Sequence, residues 1–327
     1  MSKCTLQIIT IDPNTGEVAR IQEPLIEEGI TWETARKGEP GKLTFTVIKD
    51  DDLSFPEGAH VRFLYNDEKV FYGFVFSKQR NKEQHITVTA YDQLRYLKNK
   101  TSYIFTGVRA DQVLKRIADD FLLKVGSLAN TGYVIVKFNK DNMTLFDIVL
   151  DAIDDTVMAT GNLFFIYDDF GKISLKNIKD TQLELLVDAS TAEDFDYSSS
   201  IDNNTYNRIV LTDSEDKSER NVVKVQDLKN IRQWGVLQYY EAMSNGGNTK
   251  VNAEALLKLH NKVHRSLTIR GQKGDVRCRA GFGVFLDVYL GDLPGKQRML
   301  VEQATHTFNH DEHYMDLTLI GAEEFYE

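Results

Sequence analysis

The stretch GAHVRFLYNDEKVFYGFVF, residues 58–76, holds a short run with apolar residues at alternate positions, then a polar turn and a second, almost wholly apolar run. Such alternation is typical of a half-buried β-strand, because successive side chains of a strand point to opposite faces. The first run carries Val61, Phe63 and Tyr65, and the turn lies at residues 66–69. A third strand is predicted at residues 86–90, ITVTA, beyond a charged loop. The stretch therefore predicts an antiparallel meander of three strands.

A second stretch near the C-terminus has the same order of elements. GFGVFLDVYL at residues 281–290 is followed by the turn GDLPG at 291–295, a strand at 299–305, a polar loop at 309–312 and MDLTL at 315–319. Few residues are identical, so two hypotheses remain: an internal duplication, or two unrelated meanders of a common kind. Duplication predicts that Val61 corresponds to Val284 and Val88 to Leu317, with all four side chains facing a core.

Length and composition indicate a chain of two or three domains. The chain has 327 residues, 42% of them hydrophobic, which is enough for substantial cores. It has no run of eighteen apolar residues and no N-terminal secretory pattern, so we expect neither stable membrane insertion nor export. Two distant cysteines, Cys4 and Cys278, make no disulfide framework. We therefore expect synthesis in a reducing cytoplasm.

The charge balance argues against nucleic-acid binding. The formal net charge is −10, and the basic residues are scattered. Nucleic-acid binders usually present a basic face to the phosphates. The richest basic cluster, KQRNK at residues 78–82, falls in a predicted hairpin loop. We interpret it as a solvated tip and expect no specific nucleic-acid binding.

The hydrophobic pattern divides the chain into three parts. Residues 1–104 are predicted to be mostly strand, and residues 105–194 a small α/β domain with helices starting near Ala110 and Thr144 and a hairpin turn at 168–171. Strands return in residues 195–327, with a charged loop at 213–221 and one long helix at about 252–265. The predicted fold class is α+β and β-rich. Two β units flank the α/β domain.

Two groups of histidines have spacings that could hold a metal. His260 and His264 are one helical turn apart, but no glutamate of a metalloprotease motif lies between them and no third ligand is evident. HDEH at residues 310–313 falls in a predicted hairpin loop, where polar residues are expected anyway. We interpret both groups as structural.

Paired carboxylates are frequent, at residues 50–52, 119–120, 154–155 and 168–169. Glycoside hydrolysis needs two carboxyl groups facing each other across a cleft, one with a raised pKa. Adjacent aspartates in turns point apart, so we expect these groups to be solvated and ionised. The sequence also contains no nucleophile elbow, phosphate loop or dinucleotide fingerprint. It predicts no catalytic, cofactor-binding or metal-binding residues, and no cofactor.

Several stretches resemble a known family. GFVF at 73–76 together with ITVTAYDQLRYL at 86–97 resembles a signature of XkdQ-like prophage tail proteins. The segment WGVLQYYE at 234–241 resembles their tryptophan–glycine segment. The strands MLVEQATHT at 299–307 and YMDLTL at 314–319 are similar to the closing strands of the late-control-D hub family. The resemblance covers nearly the whole chain, and its motifs are structural rather than catalytic.

The resemblance implies a central baseplate hub of contractile phage tails and phage-tail-like bacteriocins, and not an enzyme. It implies a homotrimer in which each chain carries two similar tube-like β-barrel or β-sandwich domains. The six modules of the trimer adapt a sixfold tail tube to a threefold spike, and the resemblance thereby favours the duplication. The implied partners are further copies of the chain, the tail tube protein, the central spike protein, other baseplate proteins and the tape measure protein. The implied location is the tail baseplate of a virion or of a phage-tail-like particle, and the residues do not distinguish the two.

Two other function classes remain open at this stage. A tail-associated cell-wall hydrolase would show a cleft with a raised-pKa carboxylate, or a Cys/His or zinc site. A secreted carbohydrate-binding module would show exposed aromatic residues and an export signal. For a hub, we further expect the wall of the central channel to be acidic or neutral, because cargo has to pass through it without binding.

Overall fold

A computed structural model describes residues 3–188, 192–202, 204–212, 221–242, 249–287 and 296–321 of the chain. The turn expected at residues 291–295 and most of the charged loop expected at 213–221 lie outside the described residues. Within the described ranges, no helix is both long enough and apolar enough to cross a membrane.

The N-terminal third is built from strands, as the alternating pattern predicts. Its side chains alternate between buried and exposed, most regularly in the third and fourth strands. The seven strands are β1 (Cys4–Ile11), β2 (Val18–Gln22), β3 (Ile30–Ala35), β4 (Lys42–Ile48), β5 (His60–Tyr65), β6 (Glu68–Arg80) and β7 (His85–Tyr91).

The middle of the chain combines two helices with two small sheets. Both predicted helix starts are confirmed, and the Oγ1 atom of Thr144 caps the second helix by accepting the N–H of Asp147. A 3₁₀ turn at Gln93–Lys98 leads into this part, and another at Ile178–Thr181 leads out of it. The elements are β8 (Lys100–Val108), α1 (Ala110–Asp120), β9 (Val125–Leu128), β10 (Ile135–Thr144), α2 (Leu145–Thr160), β11 (Phe164–Asp168) and β12 (Ile173–Asn177).

The last part returns to strands but holds a second small α/β layer. One helix packs on a three-stranded sheet through Ala253, Leu256, Ile209 and Leu211. The elements are β13 (Gln182–Asp188), β14 (Asp194–Ser200), β15 (Arg208–Thr212), β16 (Val222–Gln226), α3 (Leu228–Trp234), β17 (Gln238–Ala242), α4 (Thr249–His260), β18 (His264–Lys273), β19 (Gly283–Asp287), β20 (Gln297–Phe308) and β21 (His313–Gly321).

The predicted helix at 252–265 ends earlier than expected. Helix α4 stops at His260, and His264 already begins strand β18. The reason is tertiary: β18 lies between β14 and β21 and is hydrogen-bonded to both, so this segment forms ladders that a helix could not.

Thirteen strands form one sheet that runs from one end of the chain to the other. Its order is β14-β18-β21-β20-β3-β4-β7-β6-β5-β1-β2, with β19 also beside β20 and β13 beside β19. The N-terminal and C-terminal strands meet at the β20–β3 pair, which is antiparallel. The predicted domain boundaries at 104/105 and 194/195 stay predictions. Strand β13 lies before residue 195, yet it pairs with β19 of the C-terminal part.

The two ends of this sheet have the same strand order. The N-terminal unit runs β1-β5-β6-β7-β4-β3 and the C-terminal unit runs β13-β19-β20-β21-β18-β14, with the same succession along the chain. One pairing differs: β1 is antiparallel to β5, whereas β13 is parallel to β19. Six strands in one order are better explained by duplication than by two unrelated meanders.

The hydrogen-bond register repeats as well. Strand β6 shifts register against β7 between Val75 and Ser77, and β20 shifts against β21 between Val301 and Gln303. In each unit a glycine that lies two residues before the preceding strand has a positive φ, +83° at Gly58 before β5 and +89° at Gly281 before β19. The N–H of Gly58 donates to the carbonyl of Val75 at 2.7 Å, and that of Gly281 to the carbonyl of Val301 at 2.8 Å. A bulge and its glycine therefore occupy the same place in both units.

The predicted correspondences agree with this register. Val61 pairs with Gly73 in the first unit, and Val284 pairs with Met299 in the second. Counted from the shared bulge, Gly73 and Met299 are equivalent, and so are Val88 and Leu317. The expected burial is confirmed, since Val61, Val88, Val284 and Leu317 all lie in the cores.

Truncation of a core valine tests the predicted burial. We expect Val88→Ala to lower the free energy of unfolding by about 1–3 kcal/mol, because it leaves a cavity in a packed core. The matched control is Val18→Ala on the edge strand β2, where the side chain is exposed; this change should stay within about 0.5 kcal/mol. Urea titration of both variants measures the difference, and equal effects would contradict the assignment.

Candidate functional site

The junction between the two β units is formed by one edge of β20. The first part of that edge, Gln297 to Leu300, pairs with β19, and the second part, Gln303 to Phe308, pairs with β3. The residue at the changeover is Glu302. Its carbonyl accepts the N–H of Arg36 at 3.0 Å, and its carboxylate Oε2 lies 2.6 Å from Nε of the same arginine. A charge-assisted pair thus fixes the point where β20 passes from one unit to the other.

A second contact ties the segment before β19 to β3. The hydroxyl Oγ1 of Thr34 accepts the N–H of Ala280 at 3.1 Å, and both residues are buried. A buried N–H without an acceptor is costly, so this threonine stabilises the approach of the two units.

Arg279 brings all three parts of the chain together. Its guanidinium carbon lies 5.2 Å from the ring centroid of Trp32 on β3 and 4.9 Å from that of Tyr167 on β11. Burial lowers the pKa of Arg279, while the nearby carboxylates of Asp168 and Asp92 act in the opposite direction. The cation is therefore held between two aromatic faces, with two buried acids close by.

The two acids are enclosed. Asp92 is 3% exposed and Asp168 is 5% exposed. Asp92 follows β7 and accepts backbone N–H groups from Gly41 at 2.9 Å and Leu94 at 3.0 Å, and Asp168 accepts the N–H of Gly171 at 2.5 Å. Burial raises the pKa of Asp168 to about 6 and, with the nearby Asp168 charge as a second cause, raises the pKa of Asp92 well above its usual range. Both groups serve as acceptors for turns rather than as reagents open to a substrate.

A pair of buried histidines lies beside the same junction. Nε2 of His306 is 2.6 Å from the carbonyl oxygen of Cys278, and Nδ1 of His306 is 2.9 Å from Nε2 of His313. Since a carbonyl can only accept, Nε2 of His306 carries the proton, and Nδ1 accepts from Nε2–H of His313. Burial lowers the pKa of His306 to about 3 and that of His313 to about 4. Both rings are neutral donors and acceptors at neutral pH.

The structure changes the interpretation of the candidate histidines. His260 ends α4 and His264 begins β18, so they do not share a helix; instead Nδ1 of His260 and Nε2 of His264 each lie 3.0 Å from the carbonyl oxygen of Asn204. In the HDEH stretch, His310 is exposed and pairs with Glu28 at 3.3 Å. His313 is buried at the start of β21, which pairs with β20, so the prediction that the hairpin loop includes His313 was wrong.

The basic cluster at 78–82 is only partly a loop. Strand β6 extends to Arg80, and Lys78 bonds back to the carbonyl of Phe55 at 2.7 Å.

The carboxylate pairs differ from one another. Residues 50–52 and 119–120 are mainly exposed, as expected. The expectation of solvation was wrong for Asp168, which the junction buries. Asp154 is exposed, as expected, whereas Asp155 is half-buried, and this burial raises the pKa of Asp155 to about 6.

Sequence reasoning missed Asp92, Arg279 and His306. A usable signal existed only for Asp92, an N-cap residue type directly after an alternating strand. In the described part of the chain, no group of three or more His, Cys, Asp or Glu side chains could hold a metal ion. The expectation of no catalytic, cofactor or metal site stays a prediction.

Two solved structures share this fold. The 43 kDa tail protein of prophage MuSo2 from Shewanella oneidensis superposes with a TM-score of 0.68 at 11% identity, covering 98% of this chain and 99% of that one. The E. coli c3393 protein, described as a component of the type VI secretion system with structural similarity to T4 tail proteins, gives a TM-score of 0.56 at 10% identity and covers 98% and 78%. At these identities the two likenesses show the fold alone, which is a β-rich α+β fold shared with phage tail proteins.

The chain belongs to the YqbQ-like family, whose model matches residues 30–320. Two proteins of Bacillus subtilis strain 168 are similar over nearly their whole length. Uncharacterized protein YqbQ is 31% identical over 311 residues, covering 90% of this chain and 92% of the relative. The phage-like element PBSX protein XkdQ is 29% identical over 307 residues, covering 90% and 93%. The resemblance drawn from the sequence is confirmed.

The histidine pair predicts a pH-dependent stability. The pKa of His313 is about 4 in the folded protein against an ordinary 6.5, so the unfolded chain binds more protons below about pH 6.5. Folding stability should therefore fall as the pH drops from 6.5 toward 4, whereas the raised pKa of Asp168 acts in the opposite sense. Comparing His313→Gln with wild type at each pH isolates the histidine. We expect the stability advantage of wild type to shrink by roughly 2 kcal/mol between pH 7 and pH 4.5.

Urea titrations across this pH range provide the measurement. The control is His310→Gln, whose ring is exposed and lacks the burial that causes the effect. Parallel stability curves for wild type and His313→Gln would mean that the buried pair does not titrate as the geometry requires.

Proposed function

We propose that the chain is the structural hub of a contractile-tail baseplate and forms a ring that adapts a sixfold tail tube to a threefold spike. One observation carries the proposal: a single chain contains two β units with the same strand order and the same bulge. Three copies then present six similar modules. A ring of this kind meets a sixfold neighbour on one face while keeping threefold symmetry for the other.

The comparisons with known proteins support a role in a phage tail or a related assembly. A relative is named as part of a phage-like element, and proteins with the same fold are tail proteins or secretion-system components. We infer a homotrimer in contact with the tail tube protein, the central spike protein, other baseplate proteins and the tape measure protein. Its place in an assembled virion or phage-tail-like particle is the baseplate, after synthesis in the bacterial cytoplasm.

A tail-associated cell-wall hydrolase is the alternative, and one observation bears on it. Asp92 and Asp168 are neighbouring acids with raised pKa values, and a raised pKa is what a glycosidase needs in one acid of its pair. They are nevertheless almost fully enclosed and bound to backbone N–H groups, so a polysaccharide cannot pass between them. The burial favours a non-enzymatic hub. Release of soluble fragments from purified peptidoglycan by the chain, lost in Asp168→Asn, would reverse this choice.

Assembly is the first test of the hub. We expect sedimentation to give the mass of a trimer, with an interface above about 2,000 Å² in total, as obligate rings bury. Dilution should leave the trimer intact at micromolar protein. A monomer at every concentration, including in a mixture with the spike protein, would exclude a threefold hub.

The wall of the central channel provides a second test. The total charge of a trimer is −30, three times the −10 of one chain. Charges lining a narrow pore act on its contents because the screening length is about 8 Å at physiological salt. We expect acidic or neutral residues on the lumen, and Lys and Arg on the outer wall and the faces toward tube and spike. A cryo-electron microscopy map of the assembled ring decides this, and a lumen ringed by Lys and Arg would contradict it.

A further inference from the structure

The repeat provides two equivalent places for a junction between β units, and strand pairing within the described chain occupies only one of them. In the C-terminal unit, the second half of β20 pairs with β3. The equivalent half of β6, residues 77–80 after the shared bulge, pairs only with β7 and has no strand on its other edge among the described residues. Likewise β3 lies between β4 and β20, whereas its counterpart β14 has β18 as its one strand partner in the part of the chain that the structure describes. Within those residues, the end of β6 and strand β14 thus each have one side without a neighbouring strand.

We propose that β14 of one chain pairs antiparallel with residues 77–80 of β6 in a neighbouring copy, repeating the β20–β3 junction between chains. The inference rests on the proposed ring and assigns its interface. The contact is heterologous, since two different strands meet, and such contacts either close into rings or run on as filaments. A closed ring of three chains then has six junctions of one kind, three within chains and three between them.

The internal junction also fixes the register of the new one. Gln303, which directly follows the bulge in β20, is opposite Ala35 and corresponds to Ser77 in β6. Trp32 pairs with Leu43 on β4, and Tyr197 pairs with the equivalent Leu267 on β18, so Trp32 corresponds to Tyr197. Applying both correspondences to the β20–β3 ladder gives four pairs between chains: Ser77 with Ser200, Lys78 with Ser199, Gln79 with Ser198, and Arg80 with Tyr197.

The contacts around the internal junction have counterparts as well. Thr34, which accepts the N–H of Ala280, corresponds to Ser199, and Ala280 corresponds to Glu57. A serine hydroxyl of one chain can thus accept the N–H of Glu57 in the next.

The side chains differ at the position where β20 passes from its pairing with β19 to its pairing with β3. The N–H of Arg36 donates to the carbonyl of Glu302 within the chain, and the equivalent residues are Ile201 and Phe76. Both of these side chains are half-buried and apolar. The ion pair of the internal junction is therefore replaced by an apolar contact between chains.

Exposure agrees with a missing neighbour. The side chains of β3 are half-buried or fully buried, whereas those of β14 are exposed except Tyr197, and Phe195 is 41% exposed. The acidic residues of β14 already have a partner within the chain, since Arg270 pairs with Asp194 at 3.2 Å and with Asp196 at 2.8 Å. The edge of β6 and strand β14 are equivalent to the two strands of the internal junction, and this equivalence favours a second copy of the chain over an unrelated partner.

Engineered cysteines test the register. Directly opposite residues of an antiparallel pair have Cα atoms about 4.5–5.5 Å apart, within the range of a disulfide. We expect the full-length double variant Gln79→Cys/Ser198→Cys to form disulfide-linked dimers and trimers under mild oxidation. The matched control is Gln79→Cys/Ser199→Cys, in which a shift of one residue turns the two side chains to opposite faces. It should cross-link at least about tenfold less, as should each single variant and wild type with its own Cys4 and Cys278.

The outcomes separate this proposal from the hub itself. A trimer by sedimentation with no linkage in the Gln79→Cys/Ser198→Cys variant overturns the strand pairing and leaves the hub standing. Equal linkage in the shifted control also overturns it. Absence of both trimer and linkage overturns both proposals.

Discussion

The ladder between β20 and β3 is the constraint on which the rest of the structure depends. It joins six residues of one strand to six of another and turns two β units into a single sheet. An unpaired strand edge leaves backbone groups without partners, so a unit that is to be buried at its edge requires such a neighbour. The arginine held between Trp32 and Tyr167, the histidine pair and the Thr34 hydroxyl all lie beside this ladder. These side chains are buried because the β20–β3 ladder brings the two units together.

Burial also explains why the titratable groups at the junction do not form an active site. Asp92 and Asp168 have raised pKa values and His306 and His313 lowered ones, which is a pattern often found at catalytic centres. Here each group has fixed partners within the protein. Asp92 accepts two backbone N–H groups, and His306 connects a carbonyl to a second ring. Desolvation in a structural network produces the same shifts as desolvation in a catalytic cleft.

Duplication has a consequence for assembly. A unit used twice carries the same edges twice, and covalent linkage places only one acceptor edge beside one donor strand. In the proposed ring, the remaining pair, on β6 and β14, meets on different molecules. The internal junction holds an ion pair between Arg36 and Glu302, whereas the equivalent positions carry the apolar residues Ile201 and Phe76.

The sequence by itself determined the local elements and the repeat. Alternation around Val61 and Val88, the helix cap at Thr144 and the order of strands near both ends follow from side-chain periodicity and capping, which act over a few residues. Only the tertiary structure decided that α4 stops at His260, that Asp168 and His313 are buried, and that Arg279 meets Trp32. Each of these depends on residues far apart in the chain, because burial is a property of the partner strand and not of the residue itself.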